Sequence, residues 1–135
     1  MARDTYHAFI KEALERDGWD VQDDYVLRFG RRRLAIDFGA THLVMAHLEA
    51  HTIAVEVKDF TGLIPMGMIY QSIGQYLFYK SVLARTDPLR TLYLGISEQT
   101  ADGLFQQTEM GMVVADYGIS LLVVNIRQRR VVRWQ

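Results

Sequence analysis

Apolar positions along the chain change period from one segment to the next, and the changes mark the elements. Tyr6, Phe9, Ile10, Ala13 and Leu14 recur at helical spacing, which predicts a helix over Asp4 to Arg16 with Asp4 as N-cap and Gly18 as its stop. Trp19 to Leu27 predicts a strand with Trp19, Val21 and Val26 or Leu27 inward. Gly30 and its arginines mark a turn. Leu34 to Asp37 and Leu43 to Ala46 predict short strands, separated by a bend at Gly39-Ala40. A turn at Glu49-Ala50 leads to the clearest strand, Thr52 to Lys58. Connections this short imply an antiparallel meander.

The second half reads differently. Met66 to Leu83 is a long helix that carries Ile69, Ile73, Tyr76, Leu77 and Tyr79 and ends at Asp87-Pro88. Thr91 to Ile96 and Ile119 to Asn125 are apolar enough to be buried on both faces. Glu98 to Tyr117 is helical with a break at Gly111, and Val131 to Trp134 is a last short strand. Strands alternating with helices predict partly parallel pairing, so the fold class is α/β.

Composition narrows the picture. The 135 residues suit one domain spanning 1–135, and 50% of them are hydrophobic. No cysteine is present, which excludes disulfides and thiolate metal sites and fits a cytoplasmic location. No apolar run approaches a membrane span, and Met1 to Asp4 lead into a polar helix rather than an export signal. The net charge is -1, so any affinity for nucleic acid depends on local charge. Arginines crowd two stretches: Arg28, Arg31, Arg32 and Arg33, then Arg127, Arg129, Arg130 and Arg133. They are either solvated hairpin turns or the borders of a phosphate-binding surface, with Arg31, Arg32 and Arg33 the DNA-binding candidates. Met66, Met68, Met110 and Met112 supply either core or adaptable contact surface, and a homodimer is the expected assembly.

The candidate chemistry sits on the clearest strand. Alternation puts Ile53, Val55 and Val57 on one face and Ala54, Glu56 and Lys58 on the other. Charged side chains at the end of a core strand need a partner or a metal. Asp37 ends a strand that should run beside this one, among apolar neighbours. Two carboxylates brought together repel, which favours capture of a hard cation. Asp37 and Glu56 are therefore the candidate ligands for Mg²⁺ or Mn²⁺, and Lys58 is placed to assist water or neutralise phosphate. Taken singly, the Glu-x-Lys is an ordinary surface ion pair and the Asp before Phe38-Gly39 an ordinary turn residue. Gln75 and Tyr79, at i and i+4, share a helix face and add a candidate substrate-orienting group. His7 and Glu12 on the first helix are accessory candidates, and Glu15 is another acid there. His42, His47 and His51 show no metal spacing.

Asp37, Glu56-Val57-Lys58 and the Gln75 to Tyr79 helix resemble the PD-(D/E)XK nuclease superfamily, in particular its RecB-like branch with Q-x-x-x-Y. The whole chain is similar to the XisH family, the fdxN element excision controlling factors of cyanobacteria. The likeness runs through Tyr6-His7, Asp17-Gly18-Trp19, Ile36 to Ala40, Ile53 to Lys58, Gly74-Gln75-Tyr76, Leu92-Tyr93-Leu94, Leu121 to Val124 and Trp134. It implies a restriction-endonuclease-like fold, a mixed central sheet flanked by helices. It also implies a part in programmed DNA excision during heterocyst development, with DNA and a XisI-type protein as partners. In such systems a separate recombinase performs the recombination. The alternative it leaves is a non-catalytic regulatory module of nuclease fold. The sequence departs from the family pattern at Lys58-Asp59-Phe60, where Ser usually follows the Lys, and at Gln22-Asp23-Asp24-Tyr25.

Overall fold

A computed structural model of the chain describes residues 2–44 and 49–135. Helix α1 (Ala2–Arg16) buries Ile10, Ala13 and Leu14 completely, the stripe its spacing predicts. It ends at Gly18, whose φ of 89° suits a residue without Cβ, and the Trp19 N–H donates back to the Leu14 carbonyl at 3.1 Å. Asp4 lies inside the helix and is not its cap. An acid is equally at home in a first turn, so its presence does not fix the boundary.

Six strands lie in chain order in one sheet: β1 (Asp20–Phe29), β2 (Arg32–Val44), β3 (Glu49–Val57), β4 (Thr91–Ser97), β5 (Ser120–Asn125) and β6 (Arg130–Trp134). The first three form the expected antiparallel meander; β3, β4 and β5 are parallel; β6 returns antiparallel. Helix α2 (Met66–Thr86) connects β3 to β4. Helix α3 (Glu98–Asp102), a 3-10 turn over Leu104–Gln106 and helix α4 (Thr108–Tyr117) connect β4 to β5. The fold is thus α/β with a mixed sheet. One core forms between the sheet and α1, around Phe38, Val55 and Leu122. The other forms under α2 and α4, around Tyr76, Leu94 and Met110. Gly95 lets α1 approach, since a Cβ there would stand 2.9 Å from Val55 Cγ1 and 3.4 Å from Ile10 Cδ1. Among the described residues, no helix is long and apolar enough to cross a membrane.

Several boundaries differ from the sequence reading. Gly39-Ala40 is no bend, because β2 runs unbroken for 13 residues. Gly39 instead makes room for the ring of Tyr25, whose Cδ2 would lie 2.8 Å from an added Cβ. Glu49 and Ala50 are strand rather than turn and pair with Val44 and Leu43. Met45, Ala46 and His47 lie outside the described residues. The helical stretch breaks at Gly103 and Gln107, while Gly111 sits inside α4.

The β1–β2 hairpin changes faces partway along. Ile36 belongs to the core under α2, whereas Phe38 and Ala40 belong to the core under α1. In a regular strand residues two apart share a face. Leu27 and Val21 divide between the cores in the same way. The change falls where Asp24 takes φ 58° opposite Asp37, between the register pairs Asp23↔Phe38 and Tyr25↔Ile36. Aspartate is among the few residues that enter this left-handed region readily.

Tyr76 joins α2 to the parallel strands. Its buried hydroxyl donates to the Leu92 carbonyl at 2.8 Å and accepts from the Ser120 N–H at 2.9 Å. Burial is the main cause that raises its pKa. Beyond the end of α2, Asp87 accepts from Tyr25 at 2.8 Å and from Arg90 at 2.9 Å. Arg90 also caps the Ile53 carbonyl at 2.7 Å.

Two outcomes are expected. Tyr76→Phe orphans buried backbone groups at the start of two strands and lowers unfolding free energy by about 1–3 kcal/mol in urea titration. Arg90, then Tyr25, hold the Asp87 carboxyl below its ordinary pKa of 3.8. The contribution is therefore present above that value and lost as pH falls through the lowered one. Asp87→Asn should flatten this acid-side loss of stability, measured by thermal unfolding across a pH series.

Candidate active site

Strand β3 delivers Glu56 and Lys58 to the carboxyl end of the parallel strands. Its alternation is regular: Ile53, Val55 and Val57 enter the core beneath α1, while Ala54 faces the other. Lys58 follows the strand, and its N–H donates to the Gly95 carbonyl at 3.0 Å, which extends the β3–β4 edge by one residue. Glu56 and Asp37 are each only 5% exposed.

The two carboxylates meet across the point where β2 leaves β3. The last paired residues there are Phe38 and Val55. Beyond them, the Asp37 N–H donates to Glu56 Oε1 at 3.2 Å, and the Val57 N–H donates to Asp37 Oδ2 at 2.8 Å. Each acid thus accepts from the other strand's main chain, so the side chains replace the ladder. Lys58 Nζ lies 3.6 Å from Glu56 Oε2, with 23% of its side chain exposed. A partly exposed ammonium next to a buried carboxylate offsets the cost of desolvating that charge.

A cleft of about 350 Å³ opens beside them, lined by Tyr6, Glu56, Lys58, Asp59, Met68 and Gln75. Gln75 Nε2 donates to the Tyr79 hydroxyl at 3.1 Å, the i, i+4 contact that the spacing predicts. Gln75 Oε1 is buried without a hydrogen-bond partner. Tyr79 is buried in the core under α2 and does not line the cleft. Asp37 does not line it either; its hydrogen bonds tie it to β3. Asp59 turns to its own loop, where Oδ1 accepts from the Thr61 N–H at 3.1 Å and from its hydroxyl at 2.8 Å.

Tyr6 and Met68 are lining residues that sequence reasoning missed, Tyr6 because its helical spacing read as core and Met68 because it read as core or contact surface. Burial, then the charge of Asp59, raise the Tyr6 phenol above the usual pKa, opposed by hydrogen bonds with Ser97 and Thr61. A hydroxyl at the start of an otherwise wholly apolar stripe was the available signal.

The other candidates lie elsewhere. His7 packs its ring on Phe38, with centroids 4.1 Å apart. Glu12 binds Arg16 at 3.1 Å and Arg129 at 3.3 Å, which fastens α1 to the β5–β6 turn. Glu15 is exposed. Arg31, Arg32 and Arg33 are exposed in the β1–β2 hairpin. The second arginine group belongs to the β5–β6 hairpin at the opposite edge of the sheet. Within it Arg129 lies over Phe9 and Arg133 pairs with Asp102 at 3.1 Å. Among the described residues, no three His, Cys, Asp or Glu side chains gather as a metal cage.

Comparison with known proteins gives a consistent answer. The family model for XisH protein matches residues 1–132. The crystal structure of a XisH family protein from Nostoc punctiforme is similar at 28% identity, covers 97% of this chain and 98% of its own, and has a TM-score of 0.85. A fdxN element excision controlling factor protein from Anabaena variabilis is similar at 27% identity with the same coverage and a TM-score of 0.86. No curated protein matches the chain.

The reciprocal hydrogen bonds predict distinct effects at position 37. Asp37→Ala removes the acceptor for the buried Val57 N–H and should cost about 1–3 kcal/mol in chemical denaturation. Asp37→Asn keeps a carbonyl oxygen in place and should retain most of that stability.

Proposed function

The chain belongs to the XisH family, and from that premise we propose that it is an excision controlling factor that cleaves or nicks DNA. Its fold is then of the restriction-endonuclease-like class, acting in the cytoplasm beside a XisI-type protein. The observation that carries this reading is the Lys58 ammonium 3.6 Å from a buried Glu56 carboxylate in a cleft, with Asp37 fastened to the same strand end.

The donor set fits a hydrated hard cation. Magnesium takes one or two carboxylates and otherwise waters and substrate phosphate, so the lack of a third acid among the described residues is no obstacle. Glu56 of the cleft lining, with Asp37 at the same strand end, would hold Mg²⁺ or Mn²⁺, and the partnerless Gln75 Oε1 is an acceptor suited to orient a water. When bound, the ion supplies Lewis-acid polarisation of the phosphodiester. Lys58 places a positive charge where negative charge grows on the phosphate, and it orients the attacking water through its remaining N–H groups. Tyr79 fixes the Gln75 amide by accepting from its Nε2. Arg31, Arg32 and Arg33 would reach DNA phosphates only outside the cleft.

One observation favours a second reading, a non-catalytic module that docks a XisI-type protein or DNA. Both carboxylates already accept main-chain N–H groups, so they have a structural use without any metal. The exposed Met66, Met68 and Met112 offer contact surface for such a partner or for a homodimer, while Met110 is core.

Nicking of supercoiled DNA with Mg²⁺ or Mn²⁺ tests the proposal. Wild type should nick, and Lys58→Met and Glu56→Gln should each be slower by about 100-fold or more, the loss typical of one charge-stabilising group. Equal rates in all three, or none in wild type alongside a partner complex that persists in chelator, would favour the second reading.

A further inference from the structure

At the opposite end of the parallel strands lies a second cavity, of about 680 Å³, within the range of small-molecule sites. Its aromatic wall joins three distant parts of the chain: Trp19 after α1, Tyr93 in β4 and Trp134 in β6. The Trp19 and Trp134 ring centroids are 5.6 Å apart, and Tyr93 meets Trp134 edge-on at 4.9 Å. His42 packs edge-on against Trp19 with ring centroids 5.1 Å apart, and its Nε2 lies 3.1 Å from the Asp17 carbonyl. Trp134 remains 37% exposed and Leu89, at the rim, 87%.

Nothing in the function above uses this cavity. Its lining holds no carboxylate, ammonium or guanidinium among the described residues, so nothing there neutralises a phosphate or a cation. The polar lining residues on the Tyr93 face are Thr91, two before Tyr93, and His51, two before Ile53, while strand alternation sets Thr52 on the other face. An apolar protein side chain would leave those groups unmatched at some cost. A flat, uncharged ring with polar edges matches both the aromatic wall and the Thr91 and His51 side. We infer that the Trp19–Tyr93–Trp134 cavity is a stacking site for a nucleobase, distinct from the Glu56 cleft. A base stacks on aromatic side chains whatever its sequence context, and its phosphate stays outside in solvent.

The chain has two tryptophans, Trp19 and Trp134, and both line the cavity, so intrinsic fluorescence reads its occupancy directly. Adenosine and a short oligodeoxyadenylate should each quench emission saturably. Trp134→Leu, followed through Trp19, should weaken adenosine binding by about tenfold or more, the loss of one stacking partner. Leu89→Glu changes a side chain almost wholly in solvent, so it keeps the fold, and it should weaken the oligonucleotide by repulsion. Lys58→Met should bind adenosine, which carries no phosphate, like wild type, which separates this site from the cleft whatever the nicking assay gives. No saturable response to either probe, or unchanged affinity in both Trp134→Leu and Leu89→Glu, overturns the inference. So does saturation by a phenylalanine-bearing peptide with no response to adenosine, which would make the cavity a protein-docking site.

Discussion

The structure turns on an exchange of hydrogen bonds between two acids and two main-chain amides. Where β2 parts from β3, Asp37 accepts from Val57 and Glu56 accepts from Asp37. A buried N–H without an acceptor is costly, so a sheet that opens in its interior needs something to replace the ladder. The replacement here is two carboxylates, and that choice leaves charge beside Lys58 at the mouth of a cleft. Under the proposed function, architecture and chemistry would use the same atoms. Of the two acids, Glu56 is the one that also lines the cleft.

The same dual use explains why the strands around the opening look as they do. β3, β4 and β5 are apolar on both faces because helices cover both. Glu56, Ser97 and Asn125 stand at or next to their carboxyl ends. The cleft takes one wall from α1, through Tyr6, and another from α2, through Gln75.

Much of this was legible in the sequence, and for identifiable reasons. The alternation from Ile53 to Lys58 fixed which side chains share a face, and the apolar runs at Thr91 and Ile119 marked strands covered on both sides. Q-x-x-x-Y placed Gln75 against Tyr79 through helical periodicity alone. What escaped depended on contacts between distant segments. Gly39 reads locally as a bend and is instead the space taken by Tyr25. Tyr6 reads as core, and only the meeting of α1 with the end of β3 makes it a wall of the cleft. Trp19 and Trp134 lie at opposite ends of the chain, so no local pattern brings them together. The match to the XisH family is a different kind of knowledge: it places the whole chain without explaining any single contact.

The face change in the β1–β2 hairpin has a mechanical meaning. The base of the hairpin holds α1, through Val21, Phe38 and the ion pair of Lys11 with Asp23, while its tip holds α2, through Leu27, Ile36 and the contact of Phe29 with Phe78. One ribbon therefore clamps both layers from the outer edge of the sheet. Those two helices also supply walls of the cleft through Tyr6 and Gln75, so the segments on either side of Asp24 each hold the helix behind one wall.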